Sequence, residues 1–383
     1  KLSEDISSTE SEDKVSPGNR FQNLLFVTCT EILKKNIGES ETKQITGLLQ
    51  QYKGSALVDL PPFEKAEEAA AALRKHLKTT TRGVVILGGY DVVPSLQLNV
   101  LSDALLKEIE DDDGNSREEW DIDDFIIWSD DIYGDVEGDL LPEIPVSRIP
   151  DGKSPGLLMT ALKAPLPKIA DKYGVRNIKR PFAEEVFETI PFTETKFLEV
   201  SEDCSPKTVN TKSLRGALYF MLHGHDADAT RFTGELQAKT GYYEAFDIYN
   251  IPDDCRETVV FSGCCYGALV ALPKADRKEP GMKLRSRTNE QSIALAFLKA
   301  GVNAFVGCTG AHYSPRLTHE NFFGKPMHIS FWNGIRNGLP PALALLEAKK
   351  EYATNIPHGL TKAIYKAIEI KILHQFTCLG LGW

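Results

Sequence analysis

The sequence has no run of about 18 apolar residues, the length that a membrane-spanning helix needs. Its opening stretch, "KLSEDISSTESEDKVSPGN", lacks the apolar core of a signal peptide. It begins with Lys rather than Met, so an upstream piece is expected to be missing. Cysteine is sparse, with seven residues in 383, at positions 29, 204, 255, 264, 265, 308 and 378. The number is odd and no short spacing repeats, which excludes a disulfide framework and fits reduced thiols in a cytoplasmic protein. No Cys-x-x-Cys is present, so the usual dithiol redox motif is absent. Cys255, Cys264, Cys265 and Cys308 lack the short spacing of a zinc site. EF-hand spacing is missing too, because "DDDGNSREEWD" (111–121) breaks it. No repeat of solenoid period is visible.

What is present reads as an ordinary globular chain, 42% hydrophobic and 26% charged. At 383 residues it exceeds one small core and implies two domains, or one large α/β unit of two halves. The formal charge of -10 is unevenly spread. Between Glu108 and Glu143 sixteen acidic residues face one Arg, which leaves 43 basic and 38 acidic residues elsewhere. One segment holds the acidity, which argues against a general nucleic-acid surface. That segment is expected to be a solvated acidic loop; a cation site or a docking face for a basic partner is the alternative.

Residues 1–20 form a polar, acidic tail expected to be disordered. Apolar runs at 23–28, 55–60, 83–89, 124–129 and 143–149 read as strands buried on both faces. A helical pattern at 64–79 lies between them. The second half repeats the alternation, with strands at 216–224, 257–265 and 301–310. Helices are expected at 289–301, ending in a C-cap glycine, and at 339–354, opened by prolines. Alternating strands and helices specify a mostly parallel sheet flanked by helices. Two polar insertions interrupt it, one after Leu106 and one at 272–289.

Open parallel sheets carry their sites at the carboxyl ends of the strands. Three strand ends there bear chemistry: His223-Gly224-His225-Asp226, Gly263-Cys264-Cys265-Tyr266-Gly267, and Cys308-Thr309-Gly310-Ala311-His312. If the first two are neighbours, an imidazole meets a thiol, the minimum for thiol nucleophilic catalysis. The imidazole favours the thiolate and protonates a leaving amine. The N–H of Gly224, with an amide at the Cys264 turn, could stabilise an oxyanion. A cysteine at a strand end is also an ordinary small core residue, so the pattern alone leaves both readings open.

"YFMLHGH" and "VVFSGCCYG" resemble the His-Gly and strand-Cys motifs of the caspase-like (clan CD) cysteine peptidases. Caspases, legumains, separases, clostripain, gingipains and CHAT domains share them. The likeness is to the gingipain family in particular. "VVILGGYDVVPS" (84–95), "WSDDIYGDVEGDLLPEIPVSRIP" (128–150), "AGVNAFVGCTGAHY" (300–313) and "GLPPALALLEAK" (338–349) are similar to its segments, in order. "HQFTCLGLGW" is similar to its closing strand, without the usual Gly-Asp-Pro. The resemblance runs from about residue 23 to the end. It implies a caspase-like, gingipain-like α/β fold in two subdomains, an N-terminal one at 21–170 and a catalytic one at 171–383. It implies an endopeptidase acting through an acyl-enzyme, with no required cofactor. His223 matches the catalytic His and Cys264 the nucleophile, with Cys265 as the alternative because "CYG" also fits a caspase-like Cys-x-Gly. Glu143 occupies the place of the acid that orients the His; Asp139 and Asp131 are alternatives, and pairing with Arg148 is the structural reading. The chain departs from the family at Ser147, where a glycine is usual, in its larger insertions, and in lacking a secretion signal.

The resemblance also implies a basic P1 residue, Arg or Lys, held by an acid such as Asp226 or Asp151. Lys274, Arg277, Lys278, Lys283, Arg285 and Arg287 make the loop 272–289 a candidate for self-cleavage. Asp130, Asp131, Asp135, Glu137 and Asp139 could hold Ca²⁺, which takes carboxylate oxygens. By analogy the enzyme acts on protein substrates in a regulated pathway, such as antiviral defence in bacteria or programmed cell death, gated by a protein partner. An inactive caspase-like scaffold and a small-molecule thiol amidase are the other readings.

Overall fold

A computed structural model describes residues 20–113, 120–238, 240–318, 320–356 and 362–383. The expected disordered tail lies outside these, except for residue 20. Ten strands make one sheet: β1 (Leu24–Thr28), β2 (Ala56–Asp59), β3 (Gly83–Leu87), β6 (Val146–Ile149), β7 (Lys172–Arg176), β8 (Lys196–Val200), β9 (Ala217–Met221), β12 (Val259–Ser262), β15 (Ala304–Cys308) and β16 (Phe376–Gly380). Among the described residues three antiparallel two-stranded pairs stand apart: β4 (Leu96–Asn99) with β5 (Ile126–Ser129), β10 (Arg231–Glu235) with β11 (Tyr242–Asp247), and β13 (Ala271–Leu272) with β14 (Arg285–Ser286). The sheet order is β2-β1-β3-β6-β16-β15-β12-β9-β7-β8, and helices flank it.

β3, β9, β12 and β15 are buried along their whole length. Their unbroken apolar runs match strands covered by helices on both faces. The expected helices appear as Ala66–Arg74, Ile293–Lys299 and Pro341–Asn355. Gly301, with a left-handed φ of 94°, closes the second of them. The run at 124–129 departs from expectation. Its β5 leaves the main sheet and pairs antiparallel with β4. β7 and β8 were not visible in the sequence, since charged residues begin or end both "KYGVR" and "KFLEV".

One pairing decides where the chemistry sits. β15 pairs with β16 antiparallel along the whole strand, while β16 meets β6 at one register pair, Leu379 opposite Arg148, with Ser147 donating to the Leu381 carbonyl. Every other adjacent pair in the sheet is parallel. The carboxyl end of β16 touches the amino ends of strands from both halves: Asn303, just before β15, donates to the Trp383 carbonyl at 3.0 Å, and a Cβ on Gly83, which opens β3, would stand 2.0 Å from the Trp383 ring. β3 and β6 therefore run in the same direction as β15, β12, β9, β7 and β8. The carboxyl end of β6, with Asp151, lies at the same edge as the carboxyl ends of β9 and β12, and Glu143, before β6, lies at the other edge.

Candidate active site

β9 and β12 are neighbours, with Phe220 opposite Ser262, so His223 and the two cysteines leave the sheet side by side. Two glycines permit the close approach. A Cβ on Gly224 would stand 1.9 Å from the carbonyl oxygen of Cys265. One on Gly263 would stand 2.6 Å from Sδ of Met221. After the cysteines, Tyr266 adopts a left-handed φ of 55°, which costs a non-glycine residue energy. Its amide donates to the Gly310 carbonyl at 2.9 Å and its hydroxyl to Asp123 at 2.6 Å, which hold the turn in place.

The adjacent cysteines have different surroundings. Cys264 is wholly buried. Its sulfur accepts from the Leu222 amide at 3.3 Å, and burial pushes the thiol up to about 12. Cys265 is only partly buried. The His312 amide donates to its sulfur at 3.3 Å, and its thiol reaches the His312 carbonyl at 3.6 Å. Burial also raises this thiol, while the His312 amide works the other way. Among the described residues, no hydrogen bond joins Cys265 to His223.

His223 meets a carboxylate, but not the expected one. Its Nε2 lies 2.9 Å from Oε2 of Glu235 on β10 and 2.9 Å from Nδ2 of Asn177, which directly follows β7. Burial lowers the imidazole below its ordinary value, and the bond to Glu235 works against that. Burial acts to raise Glu235, but hydrogen bonds from His223 and Asn177 outweigh it and hold the carboxyl low. Glu143 lies before β6, at the opposite sheet edge from His223, and its Oε2 is taken by the amides of Val136, at 2.6 Å, and Glu137, at 3.3 Å. Nor does it pair with Arg148, which forms a two-pronged bond to Asp130 at 2.7 Å on each prong. Asp131 instead pairs with Lys349. Glu235 and Asn177 were missed because nothing local in the sequence ties either one to His223.

Of the acids expected to bind substrate, Asp151 is fully buried. It accepts from the amides of Gly89 and Lys153, each at 2.9 Å. Asp226 stays half-exposed, three residues beyond His223. Residues 114–119 of the acidic segment lie outside the described residues; of the rest, Glu108, Glu110, Glu137 and Asp139 are exposed as expected, but Asp121, Asp123, Asp130, Asp131 and Asp135 are buried. Lys371 sits between Asp121 and Asp123, 2.6 Å from each, and Lys274 reaches Asp123 at 2.9 Å. Asp123 also accepts from Tyr266 and from the Ala311 amide, so this network lies directly behind the cysteine turn. Asp135, Asp139 and Glu143 bring one carboxylate oxygen each within 4.8 Å of one another, a donor set suited to a hard cation.

No family model and no curated protein matches the sequence. Solved structures do match its fold. The Arg-specific cysteine proteinase gingipain R is similar with a TM-score of 0.59 at 10% identity, over 94% of this chain and 77% of that one. A complex of the pro- and mature domains of the Porphyromonas gingivalis proteinase gives 0.57 at 9% identity, over 94% and 78%. A third structure, of a protease, gives 0.53 at 13% identity, over 94% and 78%. The chain thus has the α/β fold of gingipain-like proteins. No helix among the described residues is long and apolar enough to cross a membrane.

Proposed function

We propose that the protein is a cysteine endopeptidase in which Cys265 is the nucleophile and His223 its acid–base partner. The carrying observation is the adjacency of β9 and β12, which sets Gly224 against the Cys265 carbonyl. Burial moves the choice from Cys264 to Cys265, since a substrate needs access to the sulfur. The amides of Gly224 and of the cysteine turn then serve the oxyanion. The thiol held by His312, without a bond to His223, fits a latent state that a protein partner opens. The same contact favours a second reading, a caspase-like binding scaffold without catalysis.

Asp226 is the acid proposed for a basic P1 residue, because it is half-exposed beside His223, whereas Asp151 is fully buried and taken by the amides of Gly89 and Lys153. Self-cleavage, if basic P1 holds, falls at Arg277, Lys278, Lys283 or Arg285. Lys274 and Arg287 are buried. The chemistry needs no cofactor, and Ca²⁺ would take its place at Asp135, Asp139 and Glu143. A cytoplasmic, regulated role such as defence rests on family analogy alone.

The test is mass spectrometry after incubation with a peptidyl-Arg acyloxymethyl ketone, beside Cys264→Ala, Cys265→Ala and His223→Ala. One adduct is expected on Cys265, kept in C264A, lost in C265A and formed about 10²-fold more slowly in H223A. An adduct on Cys264 would return the nucleophile to that residue. No adduct, together with no cleavage of labelled casein, would favour the scaffold.

A further inference from the structure

Two short segments face each other across the site, His223-Gly224-His225 and Thr233-Gly234-Glu235. The main chains of His223 and Thr233 exchange both hydrogen bonds, at 2.8 and 2.9 Å. Alternate residues of a strand point to one face, so Thr233 and Glu235 present their side chains together. The Thr233 hydroxyl meets Nε2 of His225 at 3.1 Å, and the Glu235 carboxylate meets Nε2 of His223 at 2.9 Å. Each histidine is thus met by one residue of β10.

The proton on His223 can be placed by elimination. Asn177 is oriented by its own Oδ1, which accepts from the Lys179 amide at 3.0 Å, so Nδ2 turns inward. Nδ2 donates to Oε2 of Glu235 at 2.8 Å. Lys179 adds a charge 3.5 Å from the other carboxylate oxygen. An ionised carboxylate has no proton to give. Nδ2 of Asn177 also lies 2.9 Å from Nε2, but a bare Nε2 would set its lone pair against the carboxylate oxygen 2.9 Å away, so the hydrogen belongs on Nε2, and Asn177 and the imidazole share one acceptor oxygen.

We infer that Glu235, seated by Asn177, is a positioning residue that holds His223 as its Nε2–H tautomer and leaves Nδ1 as the free basic nitrogen. The tautomer does not depend on the peptidase reading; its use does. In that use Nδ1 takes the thiol proton as the Cys265 sulfur bonds to the substrate carbonyl carbon and the carbonyl electron pair moves to oxygen. Nδ1–H then gives that proton to the amine as the C–N bond breaks. Water next adds to the thioester carbon, giving up a proton to Nδ1. The C–S bond breaks as that proton returns to sulfur. The other groups around His223 are Arg180, from the loop after β7, His225, and Tyr242 on β11, whose ring stands nearly perpendicular to the imidazole with centroids 4.8 Å apart. Arg180 and His225 oppose protonation, and Glu235 favours it.

The experiment is a long-range ¹H–¹⁵N correlation spectrum of the intact, ¹⁵N-histidine-labelled protein, with His223→Gln to assign the ring. Neutral His223 is expected as Nε2–H. Glu235→Gln, whose amide oxygen still accepts, should keep the tautomer and lower the His223 pKa by about one unit. Glu235→Leu should lose the tautomer preference. If E235L fails to fold, the pKa shift in E235Q decides. A Nδ1–H tautomer in the unmodified chain, or an unchanged His223 pKa in E235Q, overturns the inference. The expected tautomer and shift, alongside a Cys265 that iodoacetamide alkylates no faster than a free thiol, support this inference and count only against a thiol already activated in the free chain.

Discussion

The acidic stretch 108–143 and the basic stretch 272–289 look alike in sequence, as polar insertions between strands, yet their charges end in different surroundings. The acidic stretch buries five carboxylates. Its counter-charges come from far along the chain: Lys349 lies 218 residues from Asp131, and Lys371 lies 250 residues from Asp121. The basic stretch keeps its tip in solvent, with the Arg277 side chain 74% exposed. Only its ends are drawn in, by Lys274 on Asp123 and by Arg287 on the carbonyls of Leu269 and Asp226. The difference teaches that composition does not set solvation. A buried charge needs a partner within reach, and distant helices supply it.

The comparison is broken most directly at Lys371. Lys371→Met leaves Asp121 and Asp123 buried without their shared cation and should cost about 3–5 kcal/mol in urea unfolding. A cost below about 1 kcal/mol would mean that the acidic stretch behaves as a solvated loop after all. Acid offers the next test. Burial holds His312 down to about 3 and His328 well below its ordinary value. Their rings stack with centroids 5.2 Å apart, and His312 packs against the cysteine turn. In the unfolded chain both take a proton below about pH 6.5. The folded pKa values are depressed, so this stability is complete above pH 6.5 and falls as pH drops from there. At pH 5 the loss should be roughly 2 kcal/mol for each histidine. Asp123 and Asp131 behave differently. Burial acts to raise them, but Lys371 and Lys349 respectively outweigh it and hold both below the usual carboxylate value. Their contribution stays full above about pH 4 and is lost only below it. Unfolding at pH 7.5 and pH 5 should therefore show a slope that His328→Phe flattens and that no change in the acidic stretch flattens.

A smaller effect is expected at Tyr266. Tyr266→Phe removes the hydroxyl that ties the cysteine turn to Asp123 and should cost about 1.5 kcal/mol or somewhat more. It should also change the alkylation rate of Cys265, which a distant surface variant would leave alone. The smallest effect belongs to the basic tip. Arg277→Ala and Lys283→Ala together should shift stability by less than about 0.5 kcal/mol, while making the loop resistant to trypsin at those positions. A larger loss would show that the tip, like its ends, is held by the fold.

Much of the architecture was legible. Buried strands such as "GVVIL" and "VVFS" carry unbroken apolar runs, and turn residues bound them. His223 and the cysteine pair were legible as chemistry at strand ends. β7 and β8 were not, because Lys172 and Arg176 are buried yet charged: Lys172 donates to the Phe187 carbonyl and Arg176 pairs with Glu184. β5 was misplaced because a run buried on both faces can sit in a covered two-stranded pair as well as in a central sheet. Which cysteine is accessible was also hidden, since one residue of strand register turns a side chain to the other face.

The sequence by itself determined the alternation of strands and helices, and with it the parallel sheets and the edge at which His223 and the cysteines emerge. That follows from local periodicity and strand direction. Only the tertiary structure decided that the last strand, β16, enters between the halves, antiparallel to β15. It also brought Glu235 and Asn177 to His223, and Lys371 to Asp121 and Asp123. Those contacts bridge long stretches of chain, and local periodicity carries no information about them.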